Sequence, residues 1–232
     1  MKSAISLVAL LAVCQMAAGA NGVAIPSSPA PSGGAPAAGT APRTPEEMAV
    51  GAYNSGIIHR DRALKADAQA TKDKKDSDRR RNEKKAREEH DKALKNFMKA
   101  AKLNPQMPQA YNGMGFSYRK LGDYTKALEH YDRALQLAPN FPDAVEYRGE
   151  AYLALNRLDD AKQSYLTLFS MDRKQADSLM AAMKQYVAKK KMDPTGVDAA
   201  ALSAFESWIA ERSGVAEQTT LMALHSNHGV WR

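Results

Sequence analysis

Cysteine is almost missing from this 232-residue chain; its one thiol is Cys14. With no second cysteine there is no disulfide framework, and Cys14 lies in a segment expected to be removed, which leaves no cysteine-based zinc site or cysteine nucleophile. Proline is scarce beyond residue 45: six of the eleven stand at 26, 29, 31, 36, 42 and 45, and the other five at 105, 108, 139, 142 and 194. Catalytic signatures are missing too. No P-loop, HExxH, dinucleotide fingerprint or nucleophile elbow occurs, so no catalytic, cofactor-binding or metal residue is expected. His59-Arg60-Asp61 has the letters of a kinase catalytic loop, but no glycine-rich loop or DFG accompanies it, and it is read as coincidence. His225 and His228, without nearby carboxylates, make too poor a metal site and are assigned to a polar tail, 225–232. What is present is 44% apolar residues and a net charge of +7, enough apolar material to exclude a wholly disordered chain.

Met1-Lys2-Ser3, the apolar run Ala4 to Val13 and the small residues Ala18-Gly19-Ala20 have the build of a secretory signal peptide over 1–20. The run is too short for a bilayer span, and bulky Val13 before Cys14 argues against a lipid anchor. The chain is therefore expected to be exported, to a periplasm or beyond. Residues 21–45 are Pro, Ala, Ser and Gly with one charge, Arg43, and cannot bury enough surface to order themselves. They read as a disordered tether.

A fixed offset runs through the rest. Pro105 and Pro139 are 34 apart, as are Pro108 and Pro142, Gly115 and Gly149, Tyr118 and Tyr152, Ala127 and Ala161, and Tyr131 and Tyr165. Backwards, the same step links Ala127 to Ala93, Tyr131 to Phe97 and Ala134 to Ala100. Within one unit Tyr111, Met114, Gly115 and Tyr118 recur at helical spacing, then Gly122-Asp123 breaks the run, and Ala127, Leu128, Tyr131 and Ala134 recur before Pro139. Each unit is a helix, a turn and a second helix, with an apolar face that only stacking buries.

On these residues the sequence resembles the tetratricopeptide repeat (TPR) family: Tyr111, Met114-Gly115, Tyr118, Ala127, Tyr131, Ala134 and Pro139 match its signature over 108–141. The unit 142–175 keeps Gly149, Tyr152, Ala161 and Tyr165 but has Val145, Arg148, Leu168 and Arg173 at other signature positions. The implied fold is an all-α TPR-type solenoid with an elongated first hairpin and C-terminal capping helices. Residues 46–107 form the first pair, with a charged insertion about 66–90; residues 176–224 hold a degenerate repeat helix, about 177–191, and a capping helix, about 199–212.

The insertion has a length with meaning. Gly56 and Ala93 are 37 apart where Gly115 and Ala127 are 12 apart. The surplus of 25 residues is close to seven turns at 3.6 residues each, so both helices lengthen in phase. A turn is expected near 74–78, with Ser77 or Asp78 capping the second helix. The tip, 72–92, has almost nothing apolar except Ala86 and reads as a solvated charged helix. Its Arg79, Arg80, Arg81, Lys84, Lys85 and Arg87 are the candidates for contact with an anionic surface, though interspersed carboxylates weaken the field. Nucleic acid is not expected, since no aromatics interleave with the cations.

The resemblance implies a non-enzymatic adaptor whose groove, lined by the first helix of each unit, takes a protein or peptide segment. Carried over, the groove positions are Gln109, Asn112, Phe116, Arg119 and Lys120 from one unit and Asp143, Glu146, Glu150 and Leu153 from the next. That set suits a segment of mixed charge around an apolar anchor near Phe116. The carboxylate clamp of some TPR proteins needs Lys, Asn and Arg at positions that here hold Tyr53, Ile57, Gly113, Asp143 and Tyr147, so that activity is not implied. The alternative is a structural envelope protein whose basic hairpin touches an anionic membrane or polymer peripherally.

Overall fold

The computed structural model describes residues 43–227, with side chains through 214. The expected signal peptide, nearly all of the tether and His228 lie outside the described residues. Those described form eight helices and no strand: α1 (Pro45–Ala70), α2 (Asp76–Leu103), α3 (Pro108–Leu121), α4 (Tyr124–Leu137), α5 (Pro142–Ala154), α6 (Leu158–Met171), α7 (Arg173–Met192) and α8 (Ala199–Asn227).

The prolines explain where the helices begin and end. Pro45, Pro108 and Pro142 open α1, α3 and α5, where a missing N–H costs no hydrogen bond. Pro105 and Pro139 follow α2 and α4 by two residues and stop them from continuing. Thr44 caps α1 by accepting from the Glu47 N–H at 3.2 Å while Glu47 accepts from the Thr44 N–H at 2.9 Å, a reciprocal pair at an exposed helix start.

Close packing of pairs depends on residues without a side chain. A Cβ on Gly115 would stand 2.6 Å from the Tyr131 ring, and on Gly56 and Gly113 it would stand 2.5 and 2.8 Å from Phe97. Phe97 therefore lies between α1 and α3, wholly buried, which confirms that Gly56 is the counterpart of Gly115. In the next unit Gly149 makes room for Leu179 of α7 rather than for Tyr165.

The long hairpin is present and is continuous helix to its tip, with α1 of 26 residues and α2 of 28. Its turn lies slightly earlier than expected, so neither Ser77 nor Asp78 is the cap; that position is Lys75, which makes no side-chain capping bond. Asp73 fixes the turn instead, accepting from Gln69 of α1 at 2.9 Å and from Asn82 of α2 at 2.7 Å. The interior face is mostly alanine (Ala63, Ala66, Ala70, Ala86, Ala93), which keeps the two axes close. The reading of 72–92 as wholly solvated needs correction at its base: Glu89 is 8% and His90 2% exposed. Each is held by α1, Glu89 through His59 at 2.7 Å and His90 through Asp67 at 3.2 Å.

Past the third pair the period loosens for a visible reason. Arg173 replaces the proline of the other units, so nothing delays the next helix. Asp172 ends α6 and also caps α7, accepting from the Gln175 N–H at 3.1 Å, and α7 starts four residues earlier than expected. Asn156, 34 after Gly122, takes the same left-handed conformation at φ 58°. Its amide donates to the Gly196 carbonyl at 2.7 Å and accepts from the Tyr186 hydroxyl at 2.8 Å, joining the α5–α6 turn to the α7–α8 loop. On α8, Leu202, Phe205 and Ile209 are buried in the core shared with α6 and α7, and Trp208 stacks on Phe205 and meets Tyr165 edge-on. That is the cap anticipated, but its helix continues to Asn227, into the span assigned to a tail.

Candidate functional site

First helices touch one another in order, α1 with α3, α3 with α5, and α5 with α7, so their outward faces form one continuous groove. Of the sequence-predicted positions, Gln109 is exposed at the start of α3 and Lys120 at its end, while Asp143 and Glu150 are half-buried. Asn112, Phe116, Glu146 and Leu153 are buried and form the floor.

Phe116 is not a free apolar anchor; it is 6% exposed. Tyr147 packs against it edge-on at 5.3 Å, His90 lies 6.0 Å away, and the Arg119 guanidinium covers it at 5.2 Å. A cation over an aromatic face is favourable, more so when water is excluded. Arg119 also lies 5.3 Å from the Tyr147 ring, donates to the Tyr131 hydroxyl at 3.3 Å and forms an ion pair with Glu150. Lys120 pairs with Asp67 of the hairpin at 3.5 Å. Asp143 accepts from the Gln175 amide of α7.

Glu146 differs from its neighbours. It is 8% exposed, and no described residue donates a hydrogen bond or forms an ion pair to it. Burial, with the charges of Glu150 and Asp143 beside it, pushes its carboxyl up to about 7. Burial likewise raises the Tyr53 and Tyr147 hydroxyls and lowers His90, against the pull of Asp67.

At the other edge, Arg119, Lys120, Tyr124, Glu150, Leu153 and Ala154 meet Ala182, Gln185, Tyr186 and Lys189 of α7 around an open cleft of about 460 Å³. Four of the expected groove residues are thus brought together there. The α7 wall was not foreseen as groove, although Tyr186 lies 34 after Tyr152 and the period points to it. Among the described residues no group of His, Cys, Asp and Glu is arranged to hold a metal ion, and no helix is long and apolar enough to cross a membrane.

The hairpin cations lie elsewhere. Arg79 pairs with Asp76 and at 3.9 Å with Glu83, Arg81 with Asp78 at 3.3 Å, and Lys84 with Glu88 at 4.0 Å. Arg80, Lys85 and Arg87 are exposed and have no carboxylate partner among the described residues.

Stacked helix pairs with a groove along the first helices are a helical-repeat architecture. Two tetratricopeptide-repeat family models match, one over residues 108–141 and one over residues 148–175. Among solved structures, the first TPR domain of human RPAP3 is similar at 19% identity over 60% of this chain and 98% of its own, with a TM-score of 0.42. The Arabidopsis OM64 TPR domain is similar at 15% identity over 58% of this chain and 96% of its own, with a TM-score of 0.41. The first TPR of Spaghetti (RPAP3), bound to the HSP90 peptide SRMEEVD, is similar at 18% identity over 57% and 94%, with a TM-score of 0.40. No curated protein matches.

Proposed function

We propose that this protein is a non-enzymatic TPR scaffold that holds a protein or peptide segment in the groove of its first helices. The observation carrying this reading is the groove floor, where the buried Oδ1 of Asn112 has no hydrogen-bond donor and the Glu146 carboxyl, whose oxygens still reach solvent, has no partner among the described residues. Leaving a buried acceptor unpaired costs about 1–3 kcal/mol. A purely structural repeat gains nothing by keeping such groups at its concave surface. The export signal expected at 1–20 supports an envelope location for that work.

The test is site-specific photocrosslinking in the full chain within its own cells. A photoreactive residue at Gln109 or Gln185, both exposed at the groove, is expected to give discrete adducts, and one at Glu129 or Gln163, exposed on the second helices α4 and α6, none. Adducts equal in yield at all four positions would refute the groove assignment. The reading in which the hairpin adheres to an anionic surface has less behind it, because Arg79, Arg81 and Lys84 already face carboxylates one turn away.

A further inference from the structure

The groove has a preference in charge that can be read by removing the charges already neutralised within it. Arg119 is paired with Glu150, Lys120 with Asp67, and Arg60 with its neighbour Asp61 at 2.9 Å. Asp143 has only a neutral donor, the Gln175 amide, and Glu146 has none among the described residues. Between α3 and α5 the uncompensated groups of the floor are therefore acidic, Asp143 and the Glu146 carboxyl, although the whole chain carries +7 and Lys189, unpaired among the described residues, stands on the α7 wall.

Position in the repeat adds a second, independent observation. Asn112 stands three residues before Gly115, and Glu146 three before Gly149, so they occupy equivalent places on adjacent first helices; Tyr53, three before Gly56, is their counterpart on α1. Asn112 is 9% exposed, and its Oδ1 is fully buried with no donor. Glu146, in the equivalent place, has no donor from any described residue either, though its oxygens still reach solvent. A ligand carboxylate adds only acceptors and negative charge, and a hydroxyl brings one donor without charge, whereas a Lys ammonium brings three donors and an Arg guanidinium five, each with a positive charge and no acceptor. An aromatic face stands beside the row as well: Tyr147, next to Glu146 on α5, packs edge-on against Phe116 at 5.3 Å, and such a ring suits a cation.

On the groove reading above, we infer that the bound segment is basic at one defined position, and that a Lys or Arg side chain of the partner seats over Asn112, Asp143 and Glu146. This is the reverse of a clamp for an acidic chain terminus. The cation pairs with Asp143 and, by favouring the ionised form, draws Glu146 into the same pair, while Arg119 stays engaged with Glu150 and does not compete.

The experiment uses a displayed library of random 12-residue peptides selected on the full chain. Selected peptides are expected to share a Lys or Arg at one fixed place in an otherwise variable, partly apolar frame. For one such peptide, replacing that Lys by norleucine is expected to weaken binding about 10- to 100-fold against the wild type. Against Glu146→Gln, an isosteric change that keeps the fold, the same replacement is expected to cost less than about 3-fold; Asp143→Asn serves as the second variant. Peptides that crosslink within the groove but share no basic position, or share an acidic one, overturn the inference and leave the groove reading standing. Peptides that enrich but crosslink away from Gln109 and Gln185 overturn both. An equal norleucine penalty in wild type and both variants also overturns it, since the cation then sits elsewhere.

Discussion

Replacing Glu146 by Gln should change how the fold responds to pH, in a direction opposite to that of most carboxylates. Its carboxyl moves from an ordinary 4.5 in the unfolded chain to about 7 in the fold, because ionisation places an unpaired charge in a buried site beside Glu150 and Asp143. Between those values the folded state holds a proton that the unfolded state has released. Stability contributed by this group is therefore complete below pH 4.5, declines as pH rises, and is flat above 7. At 1.36 kcal/mol per pH unit the whole interval amounts to about 3 kcal/mol, of which about 2.5 kcal/mol falls between pH 5 and pH 8. Urea unfolding of wild type and Glu146→Gln at those two pH values measures it, and the difference between the proteins cancels all other titrating groups. Gln keeps the shape and never ionises, so the variant is expected to gain about 2.5 kcal/mol relative to wild type from pH 5 to pH 8. A relative change under about 0.5 kcal/mol would mean that Glu146 is solvated or paired in solution, and the argument from an empty acceptor would fall with it.

Gly115→Ala sets a helix-propensity gain of nearly 1 kcal/mol against a Cβ 2.6 Å from the buried Tyr131 ring; overpacking, about 1–3 kcal/mol, wins, and urea midpoints should fall. Gly51→Ala, with nothing within 4 Å on the exposed face of α1, should instead stabilise by about 0.5–1 kcal/mol by the same measurement. Arg119→Met strands Glu150 and should cost about 2 kcal/mol, less than a fully buried pair because the Glu150 side chain is 26% exposed; adding Glu150→Met should recover most of the loss. Glu89, held down to about 2 chiefly by hydrogen bonds from His59 and Lys92, should lose its stabilising contribution as pH falls from 4.5 towards 2, and Glu89→Gln should flatten that acid limb of the denaturation curve.

Helix order, pair lengths and the in-phase insertion were legible in the sequence because each follows from local spacing: 34 residues per unit, 3.6 per turn, proline where a helix must start or stop. The early start of α7 was legible in principle from Arg173, since a helix stop that is absent is as informative as one that is present. Contacts inside the groove were not. The sequence placed Arg119, Glu146 and Glu150 among the groove positions of adjacent units without saying which of them meet; Arg119 reaches Glu150, one helical turn beyond Glu146 along α5. Glu89 and His90 vanished into a run of charges because the solvated residues around them have the same composition as the two buried ones. Period tells which face a side chain shares; the sliding offset between neighbouring helices decides which partner it meets, and that offset is set by packing such as Phe97 wedged between Gly56 and Gly113. Small residues at helix contacts thus act at a distance on the groove: by fixing how α1, α3 and α5 stack, they determine which partner each floor residue meets.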